Sequence, residues 1–382
     1  MSSLAVAAGM RVQRLALAGF RSYPALDVAF PAGPQLIVGR NAAGKTNLLE
    51  ALVVLGTGRS HRGSAELELI NWAAEFCRLE AAVRGDDGSH TDVELVLARP
   101  AAGGARKRLR VNGVPRRAAA LTAALPLVLF APEDMLLVVG GPALRRAALD
   151  VLVGQLAPIS LTSFSTYARA LTQRNNLLRA VREGTAARDE LRFWDGVVVE
   201  EGGRIVDWRR DTLGRLARPL AEAHAEIAPQ EGELSLCYVT NAEAAPGETA
   251  RDALARRLAE TAEKEVWNGA TLVGPHRDDV SFVVADREMA DWASRGQQRS
   301  AILAFKLAQL ELLRETTGRQ PLLLLDDVFS ELDPERRAHL VRRIGELPQA
   351  FITTTSLADL DAGLVAASTA WRVTPGRLER AA

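Results

Sequence analysis

Apolar and polar positions alternate along the first part of the chain. Val12, Leu15 and Leu17 run to Phe20, and Leu26, Val28 and Phe30 follow a Tyr23-Pro24 turn, the pattern of two hairpin strands. Leu36-Ile-Val38 is a short apolar run, followed by a Gly-bounded loop and a helical pattern over 46–55. Strands are expected over 77–84 and 91–98, and Asn112-Gly113 within 106–117 is a two-residue hairpin turn. The period changes after Leu125-Pro-Leu-Val-Leu-Phe130. Residues 142–228 read as helices, with Leu161, Phe164, Tyr167, Leu171 and Leu178 on one face. An isolated strand at 234–240 and a helix at 248–267 follow. Strand and helix then alternate again: 279–284, 297–316, 322–325, 334–346 and 350–354.

This order predicts an α/β fold with a mixed sheet, interrupted by a mostly helical insertion. The expected parts are an N-terminal extension (1–9), the first part of the α/β domain (10–125), the insertion (126–270) and the completing part (271–382). A chain of 382 residues is long enough for one large or two ordinary domains. There are no repeats, long linkers or heptads of useful length.

Charge narrows the class of partner. The 47 basic and 47 acidic residues cancel, so an anionic partner must be met by a local patch. Only Lys45, Lys107, Lys264 and Lys306 among the basic residues are lysines, which makes each worth locating. Cys77 and Cys237 have no companions at metal-ligand spacing and read as buried thiols of a reducing compartment. Leu4 to Ala8 is too short for a signal peptide and no apolar run reaches membrane-spanning length. A soluble, cytoplasmic protein with no membrane partner is expected.

Gly39, Arg40, Asn41, Ala42, Ala43, Gly44, Lys45 and Thr46 fit G-x-x-x-x-G-K-[ST], with a buried strand before them and a helix after. Loop amides and a helix N-terminus offer aligned N–H groups to nucleotide phosphates. In that pattern Lys45 supplies a point charge and Thr46 a hydroxyl for Mg²⁺. A chance Gly loop is the bland alternative, disfavoured by the strand–loop–helix setting. Pro321-Leu-Leu-Leu-Leu-Asp326-Asp327 ends a second apolar strand in two carboxylates. Asp326 would hold Mg²⁺ and Asp327 would orient or deprotonate an attacking water, which implies hydrolysis of ATP. Alone, such a pair could equally cap a helix. Lys45 and Asp326 stand 281 residues apart, as expected when an insertion splits one nucleotide-binding fold.

Further runs carry a resemblance. They are Leu15-Ala-Leu-Ala-Gly-Phe-Arg-Ser-Tyr23, Asn47-Leu-Leu-Glu-Ala51, Gly58-Arg-Ser-His-Arg62, Pro132-Glu-Asp134, Gly141-Pro-Ala-Leu-Arg-Arg146 and Gln173-Arg-Asn-Asn176. Gly274-Pro-His-Arg-Asp-Asp279, Ser294-Arg-Gly-Gln-Gln-Arg299, Leu324-Leu-Asp-Asp-Val-Phe-Ser-Glu-Leu-Asp333 and Thr353-Thr-Thr355 complete them. With these the chain, from Met10 onward, resembles the RecF family, recombinational-repair ATPases related to SMC heads and ABC ATPases.

The resemblance implies an ABC/SMC-head-like P-loop ATPase that binds ATP between two subunits. Ser294, Gly296 and Gln297 of one copy would meet the phosphates held on Lys45 of the other, with Asn47 near the phosphate loop and Asp333 crossing the interface. It also implies that Asn47 belongs to the ATP-binding residues, with slow hydrolysis, DNA at single-strand/double-strand junctions, RecR and RecO as partners, and help in loading RecA. The other reading of Ser294 is a plain cap on its own helix. The chain departs from the pattern at Ala42, where Gly is usual. A positive φ there would strain Ala by about 1 kcal/mol. It also departs at Arg295, where transporter ATPases have Gly, and at Thr355, where relatives carry a switch His.

Arg106, Arg108 and Arg110 alternate on one face of a strand, and with Lys107, Arg116 and Arg117 they form a basic ribbon expected to contact the phosphates of double-stranded and gapped DNA, or simply a solvated edge. His276 and Arg277 read either as structural, paired by Asp278 and Asp279, or as functional residues. The alternative function is another SMC-like or ABC-type ATPase, such as a transporter subunit. A different SMC head would need long coiled coils, a nuclease-linked ATPase an extra acidic domain, and the wide spacing disfavours a small-molecule kinase.

Overall fold

The computed structural model describes residues 9–63, 65–99 and 105–381. Among them the chain begins with strands β1 (Met10–Phe20), β2 (Tyr23–Ala29) and β3 (Gly33–Val38), then helix α1 (Lys45–Thr57). Next come β4 (Phe76–Gly85), β5 (His90–Ala98), β6 (Arg106–Val111), β7 (Val114–Pro115), α2 (Ala118–Ala124) and β8 (Leu127–Phe130). Helices α3 (Pro142–Leu156), α4 (Ser160–Arg182) and α5 (Leu191–Ile227) lead to β9 (Leu234–Val239) and α6 (Ala250–Asn268). The remainder is β10 (Asp279–Val284), β11 (Arg287–Glu288), α7 (Met289–Trp292), α8 (Arg295–Thr317), β12 (Leu322–Asp326), α9 (Pro334–Gly345), β13 (Gln349–Thr354), α10 (Ala362–Ala366), β14 (Thr369–Thr374) and β15 (Arg377–Arg380).

Two compact units form. The first holds the described residues of Met1–Met135, Glu222–Gln230 and Arg295–Ala382. The second is Leu136–Ala221 with Glu231–Ser294, so β8 belongs to the first unit and residues 271–294 to the second.

The first unit is built on two sheets. One is antiparallel, in the order β2-β1-β4-β5-β6-β7, and the other runs β15-β14-β3-β13-β12-β8. In the second sheet β14, β3, β13, β12 and β8 are parallel and only β15 runs against its neighbour. Parallel strands covered on both faces are apolar throughout, and every residue of β12 and β13 is buried. Helix α1 is buried at every residue from Leu48 to Gly56, as suits a helix enclosed by other elements, with Glu50 the one charged side chain in that run. Its Leu48, Leu49, Leu52 and Leu55 share one core with Leu15 and Leu79 of the antiparallel sheet and Leu322, Leu324 and Phe351 of the parallel one. The first hairpin turns at Arg21-Ser22, with Arg21 at φ 48°, and Tyr23-Pro24 already belongs to β2. At the second hairpin Asn112 and Gly113 take positive φ as a two-residue turn requires.

Of the expected extension, residues 1–8 lie outside the described residues. Gly9 is anchored through both backbone groups to Asp86: its N–H donates to the carboxylate and its carbonyl accepts from the Asp86 N–H, each at 2.9 Å. Strands β14 and β15 were not foreseen in the sequence. The Trp371 indole N–H on β14 donates to the Gln35 amide oxygen at 2.9 Å, and Phe30 packs edge-on against Trp371 and Phe351.

The second unit packs α3 to α6 around the three-stranded sheet β11-β10-β9. The strand at 234–239 is therefore not isolated, because it pairs antiparallel with β10. Cys77 is buried as expected; Cys237 is exposed, since alternate residues of β9 face away from the core.

The expected pairing within Gly274–Asp279 is also corrected. Asp279 accepts both ends of the Arg145 guanidinium at 2.8 and 2.7 Å, and Asp278 accepts from the Tyr238 hydroxyl at 2.6 Å. Arg209 bridges Asp150 and the Pro275 carbonyl. His276 sits between the Tyr167 hydroxyl at Nδ1 (2.7 Å) and the Thr271 carbonyl at Nε2 (3.2 Å). Burial first, then Arg277, Arg146 and Arg174, push its pKa down to about 4. Between that value and the unfolded value near 6.5 the unfolded chain binds the extra proton, so stability falls as pH falls through this window. The expected outcome is a loss of about 2 kcal/mol from this group between pH 7 and pH 5. It is checked by comparing denaturant unfolding of the parent and His276→Gln at both pH values.

Candidate ATPase site

The site is assembled at the C-terminal ends of parallel strands, where β3 gives way to α1 and β12 to a tight turn. Lys45 is buried, and its Nζ donates to the Gly39 and Arg40 carbonyls at 2.8 and 3.2 Å, so the loop wraps its own ammonium. Arg40, Asn41 and Ala42 are exposed at the rim, with Ala43 and Gly44 buried behind them. Ala42 has φ 63°, so the strain expected for Ala at this position is present. Gly44, at φ 110°, caps α1; a Cβ there would lie 2.8 Å from Ser22 Oγ and 3.3 Å from Tyr23 Oη. The Tyr23 hydroxyl donates to the Gly44 carbonyl at 3.0 Å and Asn47 Nδ2 to Ser22 Oγ at 2.9 Å. Asn47 thus holds the turn between β1 and β2 against the phosphate loop.

Strand β13 lies between β3 and β12 and contributes a residue that the sequence reading did not single out for this role. The Thr353 hydroxyl donates to Asp326 Oδ1 at 2.6 Å and accepts from the Asp327 N–H at 2.9 Å, so one side chain orients both acids. Asp327 itself has φ 52°, ψ 27°. A non-glycine residue held in that region at a site edge is strain kept in place by its surroundings. Burial raises the Asp327 pKa, with Asp326, Glu331 and Asp359 adding to the rise and Lys45 opposing it. No parallel-strand register is visible in a one-dimensional pattern, which is why Thr353 was quoted only as part of a Thr run.

Three of the quoted runs meet at Glu50, which is fully buried on α1. Arg21 pairs with it at 2.7 and 3.0 Å, Ser60 Oγ donates to it at 2.5 Å and Arg62 approaches to 3.8 Å. His61 in the same loop is pushed to lower pKa by burial, against the pull of Glu50, Asp326 and Glu133. Lys306 of α8, another of the four lysines, makes a 2.7 Å ion pair with Asp134 just beyond β8.

The division between the units falls between Ser294 and Arg295, so Gly296 and Gln297 open α8 in the first unit while Ser294 ends the second. Asp333 caps α9 by accepting the Arg336 N–H at 3.0 Å. The Arg336 guanidinium then joins the Asp333 carboxylate to Ser300 Oγ of α8, and Arg299 reaches Glu331 at 3.1 Å. Two arginines therefore brace α8 to the segment 331–333. Arg106, Arg108 and Arg110 lie elsewhere in the first unit, on the antiparallel sheet, and are exposed on one face of β6 as expected.

The chemistry fits nucleotide phosphates and a hard cation. Among the described residues the Thr46 hydroxyl and the Asp327 carboxylate take part in no hydrogen bond, and Thr353 occupies one oxygen of Asp326. No cluster of three or more His, Cys, Asp or Glu residues among them could enclose a metal alone. A hydroxyl and one or two carboxylates suit Mg²⁺ when substrate phosphates complete its shell.

Sheet topology, phosphate loop and strand-end carboxylates define a P-loop ATPase of the ABC and SMC-head class. A family model described as the RecF/RecN/SMC N terminal domain matches residues 11–367. The chain belongs to the RecF family of DNA replication and repair ATPases. It is 38% identical to DNA replication and repair protein RecF of Limosilactobacillus fermentum over 379 residues, covering 97% of this chain and 99% of that protein. It is 36% identical to the Bacillus subtilis protein of the same name, covering 97% and 100%. A solved structure described as the recombination mediator protein RecF-ATPrS in the RecFOR pathway superposes with TM-score 0.88 at 30% identity, covering 98% and 99%. The Pyrococcus furiosus Smc head domain shares the fold at TM-score 0.51 and 16% identity, covering 97% and 96%. Among the described residues no helix is long and apolar enough to cross a membrane.

Proposed function

We propose that this chain is an ATP-dependent DNA-binding protein of recombinational and replication-gap repair. In this proposal ATP is sandwiched between two copies of the chain. The carrying observation is the meeting of Lys45 and Thr46 with Asp326 and Asp327 at the C-terminal ends of β3 and β12, on either side of β13, where Asp327 takes a left-handed conformation and its N–H donates to Thr353. The RecF relatives named for DNA replication and repair, and the solved RecF-ATPrS structure, support it.

Loop residues 39–44 and the α1 amides cradle the phosphates, and Lys45 leaves its loop carbonyls to neutralise them. Bound Mg²⁺, held by Thr46 and Asp326, would draw negative charge off the phosphates. Asp327 orients water for attack on the terminal phosphate, and Thr353 keeps the acid pair aligned. Ser294, Gly296 and Gln297 of the second copy close the other side, with Asp333 delivered to the same seam by the braced segment 331–333. ATP then acts as adhesive between subunits, and slow hydrolysis releases them. Arg106, Arg108 and Arg110 contact DNA phosphates at single-strand/double-strand junctions, where RecR and RecO join to assist RecA loading.

Sedimentation with and without ATP tests the arrangement. The parent is expected to dimerise only with ATP, and Ser294→Arg to bind ATP yet stay monomeric. A parent that remains monomeric at saturating ATP refutes the shared site.

A further inference from the structure

The sheet that carries the basic strand has a second feature that the ATPase does not use. Its solvent face is ordered in cross-strand rows. Phe76, Ala98 and Arg106 form one row, and Arg78, Val96 and Arg108 the next. Side chains opposite one another on neighbouring strands share a face, and adjacent rows on that face lie about 7 Å apart. Phe76 is half exposed, and Trp72, four residues earlier in the turn that feeds β4, is 99% exposed. An indole wholly in water at the head of β4 gains nothing for the fold.

The turn that presents Trp72 is firmly built. Asn71 N–H donates to the Gly19 carbonyl at 2.8 Å and its side-chain amide to the Arg21 carbonyl at 2.5 Å. The Ala73 N–H returns to Asn71 Oδ1 at 3.0 Å and the Ala74 N–H to the Asn71 carbonyl at 3.0 Å. Gly19, at φ 60°, admits the Phe76 carbonyl where a Cβ would stand 2.4 Å from it. Arg99 ties the end of β5 to the same turn through the Leu67 and Ile70 carbonyls. A rigid base beneath a bare aromatic ring is what a stacking surface needs, because little ordering entropy is lost on contact.

Charge selects the occupant. Lys107 is paired with Glu66, Arg78 with Glu80 and Glu94, and Arg110 with Glu94. The side chains of Arg106 and Arg108 make no hydrogen bond or ion pair with a described residue, while their backbones lie in the ladder with β5. Two guanidinium groups that pair with no described residue lie on the face of the exposed Phe76 ring, two strands from it, with the bare Trp72 indole at the head of β4; together they suit a polyanion with flat apolar faces. In a duplex the bases are stacked on one another and their faces are hidden; in a single strand they are free to stack on protein rings.

We propose that Trp72 and Phe76, with Arg106 and Arg108, form a base-stacking site for single-stranded DNA. The site rests on the DNA-binding reading above and assigns this end of the sheet to the unpaired strand.

The test uses the full chain with ATP, a fluorescein-labelled oligothymidylate and a duplex of equal length. Trp72→Ala is expected to weaken oligothymidylate binding about tenfold and leave both duplex affinity and the salt dependence unchanged. Trp72→Phe should restore affinity and lose part of the DNA-induced tryptophan quenching. The double change Arg106→Ala, Arg108→Ala should flatten the slope of log affinity against log salt for the single strand by about 1.4. Trp72 is so exposed that its variants should fold as the parent does. Single-strand binding that survives Trp72→Ala, or an equal loss for the duplex, overturns the stacking site alone. A parent that binds neither DNA overturns the DNA-binding reading, and the stacking site with it.

Discussion

Asp327→Asn is expected to hydrolyse ATP about 10²–10⁴-fold more slowly than the parent while still binding it. The substitution is chosen for the backbone as much as for the charge. Asp327 stands at φ 52°, and Asn is among the side chains that tolerate this region best. The N–H that donates to Thr353 is unchanged, so the turn and the neighbouring Asp326 keep their places. Only the ability to draw a proton from water is removed. On the two-subunit reading the ATP-bound dimer then accumulates, and sedimentation of the variant with ATP should show it persisting after the parent has dissociated. The pH profile gives a second readout. Burial, with Asp326, Glu331 and Asp359, raises the Asp327 pKa, and on the proposed mechanism the ionised form is the active one. Parent activity should therefore fall on acidification at a pH above the ordinary carboxylate range, and this limb should be missing from the residual activity of the variant. Unchanged hydrolysis by Asp327→Asn would remove Asp327 from the reaction.

Gly44→Ala is expected to cost nucleotide affinity about ten- to hundredfold. The residue occupies φ 110°, ψ 9°, and forcing a side chain there strains the backbone by about 1–3 kcal/mol. The new Cβ would also meet Ser22 Oγ at 2.8 Å, and Ser22 is held by Asn47. The strain is relieved when the loop abandons its cradle shape, which disperses the amides that face the phosphates. Two controls separate the causes. Ser22→Ala in the same background removes the collision but not the φ strain, so it should recover part of the affinity. Gly63→Ala, at φ 64° with open space around it, should leave nucleotide binding unchanged. Isothermal titration with a slowly hydrolysed ATP analogue measures all three, and parent-like affinity in Gly44→Ala would show that the loop does not need this conformation.

The residues legible in the sequence are those whose chemistry is local. The phosphate loop, the carboxylate pair at a strand end and the Asn112-Gly113 turn each declare themselves within a few positions, because backbone geometry at those points demands particular side chains. The helical stretch from 142 onward is legible for the same reason, since its apolar face recurs with the turn of the helix. What was not legible depends on partners brought from far along the chain. Thr353 aligns Asp326 through parallel register, and Arg336 joins Asp333 to Ser300 across two elements. Asp278 and Asp279 looked like partners for their immediate neighbours, yet their hydrogen bonds go to Tyr238 and Arg145. Residues 274–277 form a turn closed by the Arg277 N–H on the Gly274 carbonyl, and His276 and Arg277 both reach back to the Thr271 carbonyl, so sequence neighbours are poor guesses for ion pairs. Strand β15 has four residues and is largely exposed, and β14 buries only Trp371 and Val373, so neither offers the run of apolar residues that marks β3, β12 and β13.

The position of β13 has a consequence for how the protein comes into being. Gly33 to Val38, which lead into the phosphate loop, pair residue by residue with Gln349 to Thr354, and the Gln349 side chain is also bonded to the Val12 backbone. The loop is synthesised early and its flanking strand waits for a partner more than 300 residues downstream. Long-range parallel pairing is slow to form, and domains fold as units once their chain is available. A nascent or C-terminally truncated chain therefore carries Lys45 without Asp326, Asp327 or the hydroxyl that aligns them. On the proposed mechanism the ability to turn over ATP is conferred last, by the closing strands, and a ribosome-bound fragment is expected to have none of it.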